Sequence, residues 1–260
     1  MKGEEKMLRF QGIVLTLILC VGCSSKRLGQ WDRQTEPMSD KAAIHYEIAR
    51  EAYFSGDLIP ALASALKGVE LSPKNSELRN LLGLIYFRQD KLGQAEAEFQ
   101  EAIKLDPRMP EAFNNLGSLY LAKKEYLQAK NTLLKGIENP LYLYPERLQN
   151  NLGLAYMGLG ESELAVSAFE SAIKMNKDFY LPYLNLGRFF FEQESIEKAE
   201  PLLRAAVRLC SNCSEQRYYL GRLLLRQNKT QEALGLFKEG ASIDPEGYFG
   251  KQCQQYVVSR

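Results

Sequence analysis

Between Phe113 and Lys174 one pattern is written twice, and this repetition constrains the fold more than any other feature. Each copy opens with Asn-Leu-Gly; a Tyr follows the Gly by three residues, and an Ala follows that Tyr by nine. A fixed period is how a solenoid looks in sequence, because each unit buries its apolar face only by stacking on a neighbour. The period continues along the chain. Gly83 and Gly117 lie 34 residues apart, as do Gly153 and Gly187, and Gly187 and Gly221; only Gly117 to Gly153 is longer, at 36. Alignment on Pro73, Pro107 and Pro245 gives six units, at about 42–75, 76–109, 110–145, 146–179, 180–213 and 214–247.

A helix-turn-helix unit of 34 residues has the period of the tetratricopeptide repeat (TPR). The expected fold class is therefore all-α: a right-handed superhelix of six hairpins over 41–245, with a capping helix over 246–260. Position 20 of every unit is Ala (Ala61, Ala95, Ala129, Ala165, Ala199, Ala233), and position 27 is Gly or Ala. Small residues there let paired helices approach to about 8–10 Å. Phe99, Phe169 and Phe237, with Leu133 and Leu203, are expected to fill the complementary space. His45, the only histidine, stands where the pattern wants an aromatic and reads as a packing residue.

The N-terminus reads as an export signal. Ile13 to Val21 is too short to span a bilayer but long enough for a signal-peptide core. It ends at Cys20-Val21-Gly22-Cys23, which resembles a bacterial lipobox with Cys20 where that motif usually has Leu. Residues 1–22 are then expected to be a lipoprotein signal, with Met7 as an alternative start to Met1, and Cys23 the acylated residue; an ordinary secretory signal is the alternative. Two or three acyl chains would anchor the chain stably. Ser24 to Pro37 is polar and aperiodic, so 23–40 is read as a tether. Trp31 within it packs on the first helix or meets the membrane interface.

A TPR stack curves with its first helices lining the concave face, so the resemblance to that repeat implies that positions 2, 5, 6, 9, 12 and 13 of each unit lie there. Position 6 is Asn115, Asn151 and Asn185, and position 5 is Asn80, Asn114 and Asn150, with Tyr218 in the last unit. Carboxamides carry a donor and an acceptor, so this column is expected to grip an extended peptide backbone. Tyr46, Arg50, Tyr53, Phe54, Leu84, Phe87 and Arg88 are expected beside it as an aromatic and basic hot spot, with Tyr53, Phe54 and Phe87 pointing away from the core; packing against the tether around Trp31 is the alternative. The insert Asn139 to Arg147 lengthens one inter-repeat loop by two residues and carries Leu141, Tyr142, Leu143 and Tyr144, which either tuck under the loop or form a second contact surface.

Leu143-Tyr144-Pro145-Glu146-Arg147, then Asn151-Leu152-Gly153-Leu154, downstream of Asn114-Asn115 and behind a lipobox, resembles the type IV pilus pilotin lipoproteins (PilF, PilW and Tgl). The resemblance implies an outer-membrane lipoprotein facing the periplasm. Its partner would be the pilus secretin (PilQ-type), which it helps to localise and multimerise, and so it would support twitching or social gliding. Another periplasmic TPR scaffold, for outer-membrane proteins or cell-wall enzymes, is the alternative. Cys210 and Cys213 form a C-x-x-C at an inter-repeat turn, open to a redox centre, half a zinc site or a local disulfide; a local disulfide suits an oxidising periplasm. Cys253 is then left unpaired. A formal net charge of +1 leaves no basic footprint for nucleic acid. No paired carboxylates, Ser/His arrangement or phosphate-cradling loop appears, so no enzyme, cofactor, metal or small-molecule substrate is expected.

Overall fold

The structure is a computed structural model, and it describes residues 35–139 and 142–258. The expected signal over 1–22, Cys20, the expected acylation residue Cys23, Trp31, the expected tether up to residue 34, and Leu141 of the insert lie outside the described residues. Within them the chain forms thirteen α-helices and no strand. Twelve of the helices make six hairpins. The first three are α1 (Asp40–Ser55) with α2 (Leu58–Leu71), α3 (Ser76–Arg88) with α4 (Leu92–Leu105), and α5 (Pro110–Ala122) with α6 (Tyr126–Ile137). The next three are α7 (Pro145–Leu159) with α8 (Ser162–Met175), α9 (Tyr180–Glu192) with α10 (Ile196–Leu209), and α11 (Ser214–Arg226) with α12 (Thr230–Ile243). A last helix, α13 (Tyr248–Val258), covers α12 and the inner side of α11.

The ends of these helices follow from local chemistry. Pro110 and Pro145 open α5 and α7, where a missing N–H costs nothing. Asn75 caps α3 by accepting the Leu78 N–H at 3.0 Å. Every hairpin turn has one residue in the left-handed region. Two units use Gly56 and Gly160 there, whereas Asp90, Lys124, Glu194 and Asn228 hold it in the other four at φ of 58–62°.

Inside each of the last five hairpins one contact recurs; the first has Ala49 and Ala65 at the matching places. A glycine on the first helix leaves a notch, and the side chain sixteen residues later on the second helix fills it. A Cβ on Gly83 would meet Phe99 at 2.6 Å, and one on Gly153 would meet Phe169 at 2.6 Å. Gly117 receives Leu133, Gly187 receives Leu203 and Gly221 receives Phe237 in the same way. All six position-20 alanines are fully buried beside these contacts.

Consecutive first helices touch along the array, and α13 continues that line against α11. No two second helices come as close. The stack therefore curves, with first helices inside and second helices outside. At the C-terminal end Tyr256 of α13 stacks on Phe237 at 4.4 Å, and Cys253 sits fully buried against Gly240.

Two outcomes follow from this packing. Gly153→Val drives a branched side chain into Phe169 and is expected to lower stability by roughly 1–3 kcal/mol or more, seen as a lower urea midpoint; an unchanged midpoint would mean the notch is not filled. Burial raises the Cys253 thiol from 9.0 to about 11, with the nearby Arg217 pulling it back only partly. The folded chain keeps this proton where the unfolded chain has released it. Its contribution is therefore intact below pH 9 and lost as pH rises towards 11, at up to about 1.4 kcal/mol per pH unit. Denaturant titrations of the native chain and Cys253→Ala across that window should converge; parallel curves would contradict the burial.

Candidate partner-binding face

The inner face is built from first helices, so its chemistry is set by their fifth, sixth, ninth, twelfth and thirteenth positions. The asparagines expected to grip a peptide are occupied with one another. Asn115 Nδ2 donates to Asn80 Oδ1 at 2.9 Å, Asn151 Nδ2 to Asn114 Oδ1 at 3.0 Å, and Asn185 Nδ2 to Asn150 Oδ1 at 2.9 Å. The rule is constant: position 6 of one repeat donates to position 5 of the repeat before it. Asn151 also donates to Ser118 Oγ, and Asn150 to Asn151 Oδ1. Asn80, Asn150 and Asn185 are buried. This ladder is a polar seam joining α3, α5, α7 and α9, a role the expectation of an open, peptide-facing column did not include.

The hot spot of the first two repeats divides in a similar way. Tyr46, Tyr53, Leu84 and Phe87 are half-buried and pack on the core, although Tyr53 and Phe87 were expected to point away from it. Burial, more than the neighbouring Glu77, raises the Tyr46 phenol above its usual value. Phe54 alone projects, at 75% exposure, with its ring edge-on to Tyr53 at 5.6 Å. Arg88 lies over the Tyr53 ring at 5.2 Å and donates to the Tyr53 carbonyl at 2.7 Å. Arg50 is exposed and pairs with Glu47 one turn back. What this corner offers a partner is one projecting phenylalanine ring, set against a tyrosine that carries Arg88, with Arg50 one turn back on the same helix.

Tyr218 does not line an open groove. Its ring meets Tyr219, Phe249 and Tyr256, the last two from α13, and Arg222 lies over it at 5.4 Å. Around it is a second basic and aromatic patch that sequence reading passed over. Arg226 and Arg222 lie over the Phe191 ring at 4.3 and 5.3 Å, and Arg188 covers Tyr219 at 4.7 Å while pairing with Glu215. Burial raises the Glu215 carboxyl above its usual range, and Arg188 only partly offsets this. The signal was available, since these are positions 9, 12 and 13 of the last two repeats, the register that selects Tyr53 and Phe54 in the first.

The insert loop tucks one ring and shows another side chain. Tyr142 is buried, which raises its phenol to about 12. Tyr144 sits edge-on to it with Arg147 over the outer ring at 4.6 Å, and Leu143 is 78% exposed. Cys210 and Cys213 are joined as a disulfide with a Cα–Cα separation of 5.6 Å. The bridge stands at a turn where Asp106 and Asn176 instead accept a backbone N–H two residues on. Arg217, nearly buried, braces the bridged turn by donating to the Cys210 and Cys213 carbonyls and to Glu239. Among the described residues no cluster of His, Cys, Asp and Glu could hold a metal ion, and no helix is long and apolar enough to cross a membrane.

Tetratricopeptide profiles match three stretches, described as "TPR repeat" over 83–124 and "Tetratricopeptide repeat" over 110–139 and 150–214. The chain is 25% identical over 138 residues to the type IV pilus assembly protein PilF of Pseudomonas aeruginosa, covering 50% of this chain and 55% of PilF. It is 29% identical over 138 residues to the anaphase-promoting complex subunit CDC16 of Saccharomyces cerevisiae, covering 51% of this chain and 16% of CDC16. The match to the mouse BBSome complex member BBS4 is 26% over 220 residues, or 71% of this chain and 42% of BBS4. The chain thus spans little more than half, or less, of these relatives. The crystal structure of PilW, a widely conserved type IV pilus biogenesis factor, superposes with a TM-score of 0.73 at 16% identity, over 83% of this chain and 99% of PilW. The Pseudomonas aeruginosa PilF structure gives 0.70 at 17%, over 83% and 97%. At those identities the likeness is one of fold, and the fold is a TPR solenoid.

The ladder makes a sharp expectation. Asn150→Ala strands the buried Asn185 amide and should cost about 1–3 kcal/mol, whereas Asn150→Leu with Asn185→Leu removes both partners and should cost less than the two single changes summed. Additive losses in urea titrations would show that the pair is not coupled.

Proposed function

We propose that this chain is a lipid-anchored outer-membrane assembly factor of the pilotin type, which binds the type IV pilus secretin in the periplasm and promotes its localisation and multimerisation. The observation that carries the reading is the exposed Phe54 ring beside Arg88 and Arg50, on a TPR scaffold without a metal cluster among its described residues. A projecting aromatic flanked by guanidinium groups is the composition of protein-binding hot spots. The lipobox-like Cys20-Val21-Gly22-Cys23, the export signal before it, and the similarity to a type IV pilus assembly protein support the membrane and pilus parts. In this mechanism acyl chains on Cys23 carry the bound secretin subunit to the outer membrane, and the inner face holds it until the ring closes. A general scaffold for another multi-subunit assembly is the second reading, favoured by the comparable similarity to CDC16 and BBS4.

The test separates anchor from grip. Cys23→Ala should leave folding and secretin binding intact but remove the secretin multimer from the outer-membrane fraction. Phe54→Ser should weaken secretin binding about tenfold or more while the chain stays in the membrane. Normal multimers in both variants would refute the proposal.

A further inference from the structure

Among the described residues no helix precedes the first repeat, and α1 shows what that leaves open. In later repeats the third position of the first helix meets the preceding second helix: Leu78 lies at Gly68 and Leu148 at Gly136. The seventh position, one turn on along the same face, is a leucine in all five later repeats, between 1% and 5% exposed. The equivalent residues of α1 are Ile44 and Ile48, which are 59% and 46% exposed. With Lys41 and Glu51 they form a stripe spaced three, four and three residues, the spacing of a seam between paired helices. Lys41 and Glu51 are exposed, and neither has a hydrogen bond or ion pair among the described residues.

Two occupants are disfavoured by the surroundings. Thr35 and Glu36, which lead into α1, are hydrogen-bonded to Lys74, Asn75 and Ser76 at the turn into the second repeat and so lie away from the stripe. The far end of another copy is covered by α13, which shows Lys251, Gln254 and Gln255 to solvent at the middle of its outer face and the exposed Tyr248 and Val258 only at its two ends.

We propose that this stripe is an isologous interface with a second copy of the chain, the two α1 helices lying antiparallel about a two-fold axis level with Tyr46. In that register Ile44 opposes Ile48 of the second copy, and Lys41 opposes Glu51 twice over. A parallel pairing would instead set Lys41 against Lys41 and Glu51 against Glu51. One helix from each copy is a small contact, so the association is weak and concentration-dependent. It does not depend on the secretin reading, since the exposed stripe and its charges are fixed by α1 alone.

Sedimentation of the intact chain from low to high micromolar concentration tests it. A reversible monomer–dimer equilibrium is expected. Lys41→Glu or Glu51→Lys should each weaken the dimer by about tenfold, and the two together should restore it, because the swapped charges face each other again. Ile48→Glu should abolish it while the thermal melt stays cooperative. A chain that is monomeric throughout, or a double swap no tighter than either single change, overturns the proposal. So does finding the stripe covered by residues 1–34 or by a helix of another protein.

Discussion

From the second repeat to the sixth the array depends on one packing constraint: a first helix with no Cβ at its eighth position, and a ring or leucine sixteen residues later that occupies the space. Protein interiors are close-packed, so this notch sets how near the two helices lie and fixes their register. The buried position-20 alanines reinforce the same approach. Because the filler alternates between Phe and Leu along the chain, successive hairpins have the same geometry with slightly different volumes. Local contacts of this kind dominate a solenoid, where each repeat meets only its neighbours.

The second constraint joins repeats. First helices touch first helices along the inner face, and from the second repeat to the fifth that contact is made by carboxamide pairs. A buried amide pair is directional in a way that leucines are not, so the ladder fixes the axial register of neighbouring repeats. At both ends the ladder stops and aromatic or apolar residues take over, at Tyr46 and Leu81 in the N-terminal part and at Leu184 and Tyr219 in the C-terminal part. Those two ends are where guanidinium groups stack on rings and where Phe54 projects. A polar middle therefore separates two aromatic and basic ends.

Much of the fold could be read from sequence because its determinants are local and periodic. The glycine and alanine positions, the helix pairs and the closing helix all follow from arithmetic on one chain. The site was harder to read, for a physical reason. Periodicity says which face a side chain occupies but not whether its hydrogen-bonding groups are already satisfied. Asn115 and Asn80 differ by 35 residues, one more than the period, and that offset is the trace of a repeat-to-repeat bond. Tyr53 and Phe87 show the same limit, since a ring at a concave position can lie flat on the core as readily as it can project. The uncovered Ile44 and Ile48 could be identified only by comparing their exposure with the same positions in five later repeats.

The claim that this scaffold holds a secretin subunit at its N-terminal inner corner is tested most directly by photocrosslinking in cells assembling pili. A photoreactive residue in place of Phe54 should give an adduct with the secretin, and the same residue in place of Leu236, on the second helix of the last repeat, should give none. An adduct of equal yield from both sites, or none with the secretin from position 54, would contradict the account.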